Sequence, residues 1–242
     1  MKKFLLILMM TLFFVPVFAQ WSVGPRIGLN FATLTGDTGY SDDEKSGWIT
    51  SLNIGAVGNY EFSDMISLNA ELLLVTVGDK TKYSETGEKS SLAEYNTTIT
   101  ERYHYLQVPV LIRLIFGSNL IYFANIGPYY GHKIGGHHKA DVNGHVTEGR
   151  IRFNEDKLNE NDWLFDSDYE RRSDIGMYIG GGAGKKIGPG VLEADLRFGF
   201  GLIDHNKFES KEQKQNAKDN GYKAVRTMNV SLTFAYMIEF QK

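Results

Sequence analysis

The sequence predicts an all-β fold, an eight-stranded antiparallel β-barrel that crosses a membrane, and three observations carry that prediction. Apolar and polar residues alternate at period two through segments of about ten residues or more. Short and long connections between these segments alternate strictly along the chain. The chain has no cysteine, with 26 glycines and 13% aromatic residues, so no disulfide holds it and strand pairing must do so.

The first segment, Met1 to Ala19, reads as a Sec signal peptide. Lys2 and Lys3 give a positive start, an apolar run from Phe4 to Met10 resumes at Leu12 to Phe14, and Val17-Phe18-Ala19 offers a cleavage site before Gln20. The apolar stretch is short for a spanning helix, which needs about 20 residues. The mature chain, residues 20–242, then reads as one barrel domain. Removing Lys2 and Lys3 from the 26 basic residues leaves 24 against 29 acidic ones, a formal charge near −5 that offers no footprint for nucleic acid.

The eight strands follow in order. Val23, Ile27, Leu29 and Phe31 alternate with Ser22, Gly24, Arg26, Gly28 and Asn30 in the first. Leu52, Ile54, Ala56 and Tyr60 form the apolar face of the second; Ile66, Leu68, Ala70, Leu72 and Leu74 that of the third. Leu106, Val108, Val110, Ile112 and Leu114 mark the fourth, with Tyr105, Gln107 and Arg113 opposite. Leu120, Tyr122, Ala124, Ile126 and Tyr130 mark the fifth, where Ile121 and Phe123 blur the other face. The sixth, Ser173 to Ile187, is interrupted by Gly180-Gly181-Gly182, which suggests a bend or bulge. In the seventh, Leu192, Ala194, Leu196, Phe198, Phe200 and Leu202 oppose Glu193, Asp195 and Arg197; the eighth runs through Met228, Val230, Leu232, Phe234, Tyr236, Ile238 and Phe240.

Tight turns fall at Ser63-Asp64, Gly117-Ser118-Asn119 and Gly188-Pro189-Gly190, whereas long connections run roughly from Leu34 to Gly47, Gly78 to Glu101, Gly135 to Arg172 and His205 to Ala224. Outer-membrane barrels sort their connections this way, with short periplasmic turns and long extracellular loops. Within the third long connection, Asn143-Gly144 between polar alternating runs predicts a type I′ hairpin above the membrane; two further wall strands are the competing reading. Two aromatic girdles are expected, Trp21, Tyr60, Phe62, Phe116 and Phe240 beside the short turns, and Trp48, Tyr103, Tyr105 and Tyr130 beside the long ones.

Four segments resemble the PorT-like outer-membrane β-barrel family of Bacteroidetes: Val23-Gly24-Pro25-Arg26-Ile27-Gly28-Leu29-Asn30-Phe31, Tyr105-Leu106-Gln107-Val108-Pro109-Val110-Leu111, Ile126-Gly127-Pro128-Tyr129 and Leu196-Arg197-Phe198-Gly199-Phe200-Gly201-Leu202. The resemblance implies an eight-stranded barrel in the outer membrane, and some members of that family are accessory parts of type IX secretion. Phe240 is followed by Gln241-Lys242, whereas such barrels usually end on the aromatic residue itself.

Reaction chemistry is sparse. Arg26, Glu71, Arg113, Glu193, Asp195, Arg197 and Glu239 all fall on the expected lumen face. A lumen this narrow holds side chains rather than a wide channel, so these charges are read as an ion-pair network. A gated ion path or a carboxylate acid/base pair is the functional alternative. His132, His137, His138 and His145, near Asp141, are candidate metal ligands, although their spacing matches no familiar site and solvated loop histidines are the plainer reading. Acidic and aromatic residues mix from Asp156 through Glu160, Asp162, Trp163, Phe165, Asp166 and Asp168 to Glu170, as a surface for a partner or calcium or as a solvated loop. No Gly-x-Ser-x-Gly occurs and no catalytic residue or cofactor site is assigned. The expectation is a non-enzymatic outer-membrane protein with a structural or interaction role through its loops, in contact with outer-membrane lipid and with other envelope or secretion proteins. A secretion accessory, a narrow pore and a loop-edge enzyme are the alternatives.

Overall fold

Alternation puts every second side chain on the same side of a strand, so a segment that is apolar at even positions and polar at odd ones has one face for lipid and one for a wet or paired interior. The computed structural model describes residues 20–36, 45–85, 95–153, 159–165, 170–208 and 210–240. The expected signal peptide and the tail Gln241-Lys242 lie outside the described residues.

The chain forms β1 (Gln20–Thr35), β2 (Lys45–Gly47), β3 (Ile49–Ser63), β4 (Ile66–Glu85), β5 (Tyr95–Phe116), β6 (Leu120–Val142), β7 (His145–Arg152), β8 (Trp163–Leu164), β9 (Ser173–Ile187), β10 (Gly190–Gly201), α1 (Lys211–Asp219) and β11 (Arg226–Phe240). Eight of these close a ring, β1-β3-β4-β5-β6-β9-β10-β11, every neighbour antiparallel and β11 pairing back onto β1. Closure removes the unpaired edge that an open sheet would present to lipid. Among the described residues no helix is long and apolar enough to cross a membrane.

The burial pattern is inverted relative to a water-soluble core. Leu52 is 64% exposed and Ile112 56%, whereas Arg26, Asp195 and Arg197 are 1–2% exposed. Such an arrangement is stable only if the outside is hydrocarbon. The apolar belt is bounded at the short-turn end by Trp21, Tyr60, Phe62, Phe116 and Phe240, with Trp21 packed on Tyr60 at 4.5 Å between ring centres. Trp48 and Tyr130 stand exposed near the opposite margin.

Three expectations are corrected. Tyr103 and Tyr105 do not belong to the outer girdle: they share the inward parity of Gln107 and are buried, Tyr103 donating to Glu101 Oε2 at 2.9 Å. The Gly180-Gly181-Gly182 run makes no bulge; β9 pairs continuously with β6 and β10 through it. A Cβ on Gly180 would sit 2.8 Å from Arg197 Cγ, and one on Gly182 would sit 2.6 Å from Phe123 Cζ. The glycines give way to large inward side chains of their neighbours. Finally, much of the expected long connections is strand. β4 and β5 stay paired up to Glu85 and Tyr95, and the fourth connection contains α1, capped where Ser210 Oγ accepts from Gln213 N at 3.0 Å.

At Asn143-Gly144 the chain does reverse as a hairpin, with φ of 53° and 86°. These positive values suit Asn and Gly. β7 returns along β6 above the belt and takes no place in the ring.

Candidate functional site

The lumen is built as stacked polar layers, each contributed by inward residues of several strands. At mid-height β1 supplies Arg26, β4 Glu71, and β10 both Asp195 and Arg197. Arg197 grips Glu71 through both terminal nitrogens (2.9 and 2.7 Å) and donates Nε to Asp195 at 2.7 Å. Arg26 Nη1 lies 3.1 Å from Asp195 and 2.8 Å from Thr233 Oγ1, and its Nη2 lies 3.5 Å from Glu71. These four side chains are 0–2% exposed. Two cations and two anions balance, and the two-point Arg–carboxylate geometry offsets much of the desolvation cost.

Toward the short turns, Arg113 of β5 binds Glu193 of β10 through both nitrogens (2.7 and 3.1 Å) and lies 4.0 Å from the Phe123 ring centre. That contact explains the apolar Phe123 on an otherwise polar face. Glu239, the seventh residue of the sequence set, does not join the buried group; it stands at the rim and pairs with exposed Lys186 at 2.7 Å.

Above the mid-height group lie layers that the sequence reading left unassigned. Tyr178 donates to Gln107 Oε1 at 2.8 Å, and Tyr129 and Thr227 both donate to Asp174 Oδ2 at 3.0 and 2.8 Å. The signal that could have found them is inward parity with their network neighbours. Higher still, a cavity of about 160 Å³ is lined by Asp79, Glu101, Tyr103, Lys133, Glu170 and His205, among others. Buried Lys133 pairs with Glu170 at 3.1 Å and sits 3.8 Å from the Tyr103 ring centre. His205, in the connection after β10, is held at about 3 by burial and by the charge of Lys133.

The four candidate histidines are not brought together. Adjacent strand positions put His137 outward and His138 inward, where His138 stacks on Trp163 (3.8 Å between ring centres) and its Nε2 lies 2.7 Å from Asn161 O. His145 is at the hairpin tip and His132 is on the barrel wall. His137 instead meets His104, unassigned from sequence, at 2.9 Å. Of the acidic stretch, Asp162 takes hydrogen bonds from Arg150 N (2.8 Å) and Arg152 Nε (3.0 Å), which hold its carboxyl at about 2. Glu170 is engaged by Lys133, and Phe165 is buried. Asp156, Asp166 and Asp168 lie outside the described residues.

The arrangement can hold a lumen shut and fix strand register. Solved structures similar to this chain include Ail, the attachment invasion locus protein of Yersinia pestis, in complex with the heparin analogue sucrose octasulfate. It is 12% identical over 90% of this chain and 99% of that one, with a TM-score of 0.38. OprG from Pseudomonas aeruginosa is 8% identical over 93% and 97%, TM-score 0.42; Neisserial surface protein A is 12% identical over 89% and 96%, TM-score 0.36. No curated protein matches the sequence. The family described as "Outer membrane protein beta-barrel domain" matches residues 18–207, most of the chain. With a closed ring, an inverted burial pattern and that match, the chain belongs to the outer membrane protein β-barrel domain family.

Proposed function

We propose that this outer-membrane β-barrel is a non-enzymatic scaffold of the PorT-like kind, whose membrane part is a closed plug and whose extracellular strands and loops meet partners. The observation that carries the reading is the balanced group of Arg26, Glu71, Asp195 and Arg197, almost fully buried at mid-lumen, in a barrel whose strands β4 to β7 continue above the belt. A paired, dehydrated centre favours rigidity over passage of ions. The PorT-like assignment draws on the four sequence segments around Arg26, Gln107, Gly127 and Arg197.

Planar-bilayer recording tests the plug. The mature barrel is expected to give no stepwise conductance; discrete channel openings would overturn the reading. Deleting residues 137–150 and measuring capture of envelope proteins from detergent extracts tests the display. Unchanged capture would count against it. A part in type IX secretion follows from the resemblance alone, and normal export of secreted proteins after gene deletion would dismiss it.

A further inference from the structure

Immediately above the belt, the outer wall of β4 to β7 changes character. Outward positions on β4 and β5 are apolar up to Leu74 and Leu106, then become Thr76 and His104. Beyond them two rows run across the sheet in register: Gly78, Arg102, His137 and Arg150, then Lys80, Thr100, Lys139 and Glu148. A groove of about 770 Å³ lies on this surface, lined by Trp48, Lys80, Arg102, His137, Lys139 and Arg150, with Glu148 and Asp162 as its acids. Both acids are engaged, Glu148 by Lys139 at 2.6 Å and Asp162 by Arg152 at 3.0 Å. Arg102 donates to Thr50 O at 3.0 Å, and among the described residues Lys80 and Arg150 make no side-chain ion pair.

Height matters as much as charge. Arg102 is four residues beyond Leu106; with a rise of about 3.4 Å and a tilt of about 40° it stands roughly 10 Å further along the barrel axis. The polar margin of a bilayer is roughly 5–8 Å deep on each side, and arginine and lysine reach several ångströms along their stems. Trp48, 48% exposed beside the groove, is the aromatic residue expected at such a margin. Guanidinium pairs bind phosphate at two points. We infer that this groove binds the phosphorylated headgroup of a glycolipid in the outer leaflet, through Arg102 and Arg150 with Lys80 and Lys139 around them. The inference is independent of the plug and of any protein partner.

The test uses the mature barrel folded in zwitterionic detergent and native mass spectrometry of retained lipid. The probe is a bis-phosphorylated glucosamine-disaccharide lipid, compared with the same lipid dephosphorylated. Wild type is expected to retain the phosphorylated form about tenfold better, R102Q/R150Q to lose that preference, and K185Q at the opposite end to keep it. Folding of each variant is checked by heat-modifiable gel mobility. If R102Q/R150Q does not fold, K80Q/K139Q replaces it and is expected to weaken the preference. Equal retention of both lipids by wild type, undiminished retention by a folded groove variant, or preference for an acidic peptide over the lipid would each overturn the inference.

Discussion

Arg197 is the residue on which the lumen turns. It hydrogen-bonds both Glu71 and Asp195, and with it removed Arg26 is left as the one cation between two buried carboxylates. Breaking a buried pair from one side costs about 3–5 kcal/mol. R197M is therefore expected to lower the urea stability of the vesicle-reconstituted barrel by that order, and E71Q/R197M, which restores balance, to recover part of it. The reverse ranking would mean that charge balance is not what the group supplies. His205 makes a different expectation. Its folded value of about 3 lies below the ordinary 6.5, so the stability it contributes is complete above about 6.5 and is lost as pH falls through about 3. Its backbone holds Arg171 N at 2.7 Å and Val225 O at 2.8 Å, joining two connections. The protection of amides across 202–207, relative to the intrinsic exchange rate at each pH, should fall as pH drops from 6.5 to 4, and H205L should flatten that response. Protection that does not change with pH in wild type would contradict it.

At the scale of the element, β9 shows how a strand without conspicuous side chains is specified by its neighbours. Gly180 faces Arg197 and Gly182 faces Phe123, so each glycine is the complement of a bulky residue across the ladder. Adding a methyl at Gly180 puts a carbon 2.4 Å from Leu196 O and 2.8 Å from Arg197 Cγ. Overpacking of this kind costs about 1–3 kcal/mol. G180A is expected to lower stability within that range, and G180A/R197A to lose less than the two single effects combined, because truncation at 197 removes the Cγ that the new methyl meets. Strict additivity would place the clash elsewhere. The same element marks the boundary of what the residues disclose. The wall strands were legible because lipid forces alternation on them. The paired upper parts of β4 and β5 were not, since above the belt the sense of the alternation inverts: Val75, Val77, Tyr103 and Tyr105 turn inward while Thr76, Arg102 and His104 face out. Helix α1 was equally silent, having no buried residue and hence no apolar stripe. Tyr103 and Tyr105 lie near the margin without facing it, and their inward parity with Gln107 is the better guide. The inward charges were legible as one set, yet their partition into a four-membered group, the Arg113–Glu193 pair and the rim pair of Glu239 depends on which strands lie opposite across the ring.

At the scale of the whole molecule, chain order and space agree. Every wall strand neighbours its sequence neighbour except where β11 closes on β1, and both chain ends of the barrel emerge beside the three tight turns. Polar layers and buried apolar clusters together fill the inside, an apolar belt rings the outside, and paired strands rise above it on the β4 to β7 side. The absence of cysteine allows single labels to be placed anywhere without a background. Spin labels at Leu29, Ile54, Leu72, Val110, Ile126, Ile179, Phe198 and Leu232 put one probe on the outer face of each wall strand. The decisive measurement is power-saturation electron paramagnetic resonance on these eight variants in lipid vesicles. All eight labels should be relaxed by oxygen and shielded from a water-soluble nickel reagent; labels that the nickel reagent reaches on several strands would contradict a barrel whose whole circumference meets hydrocarbon.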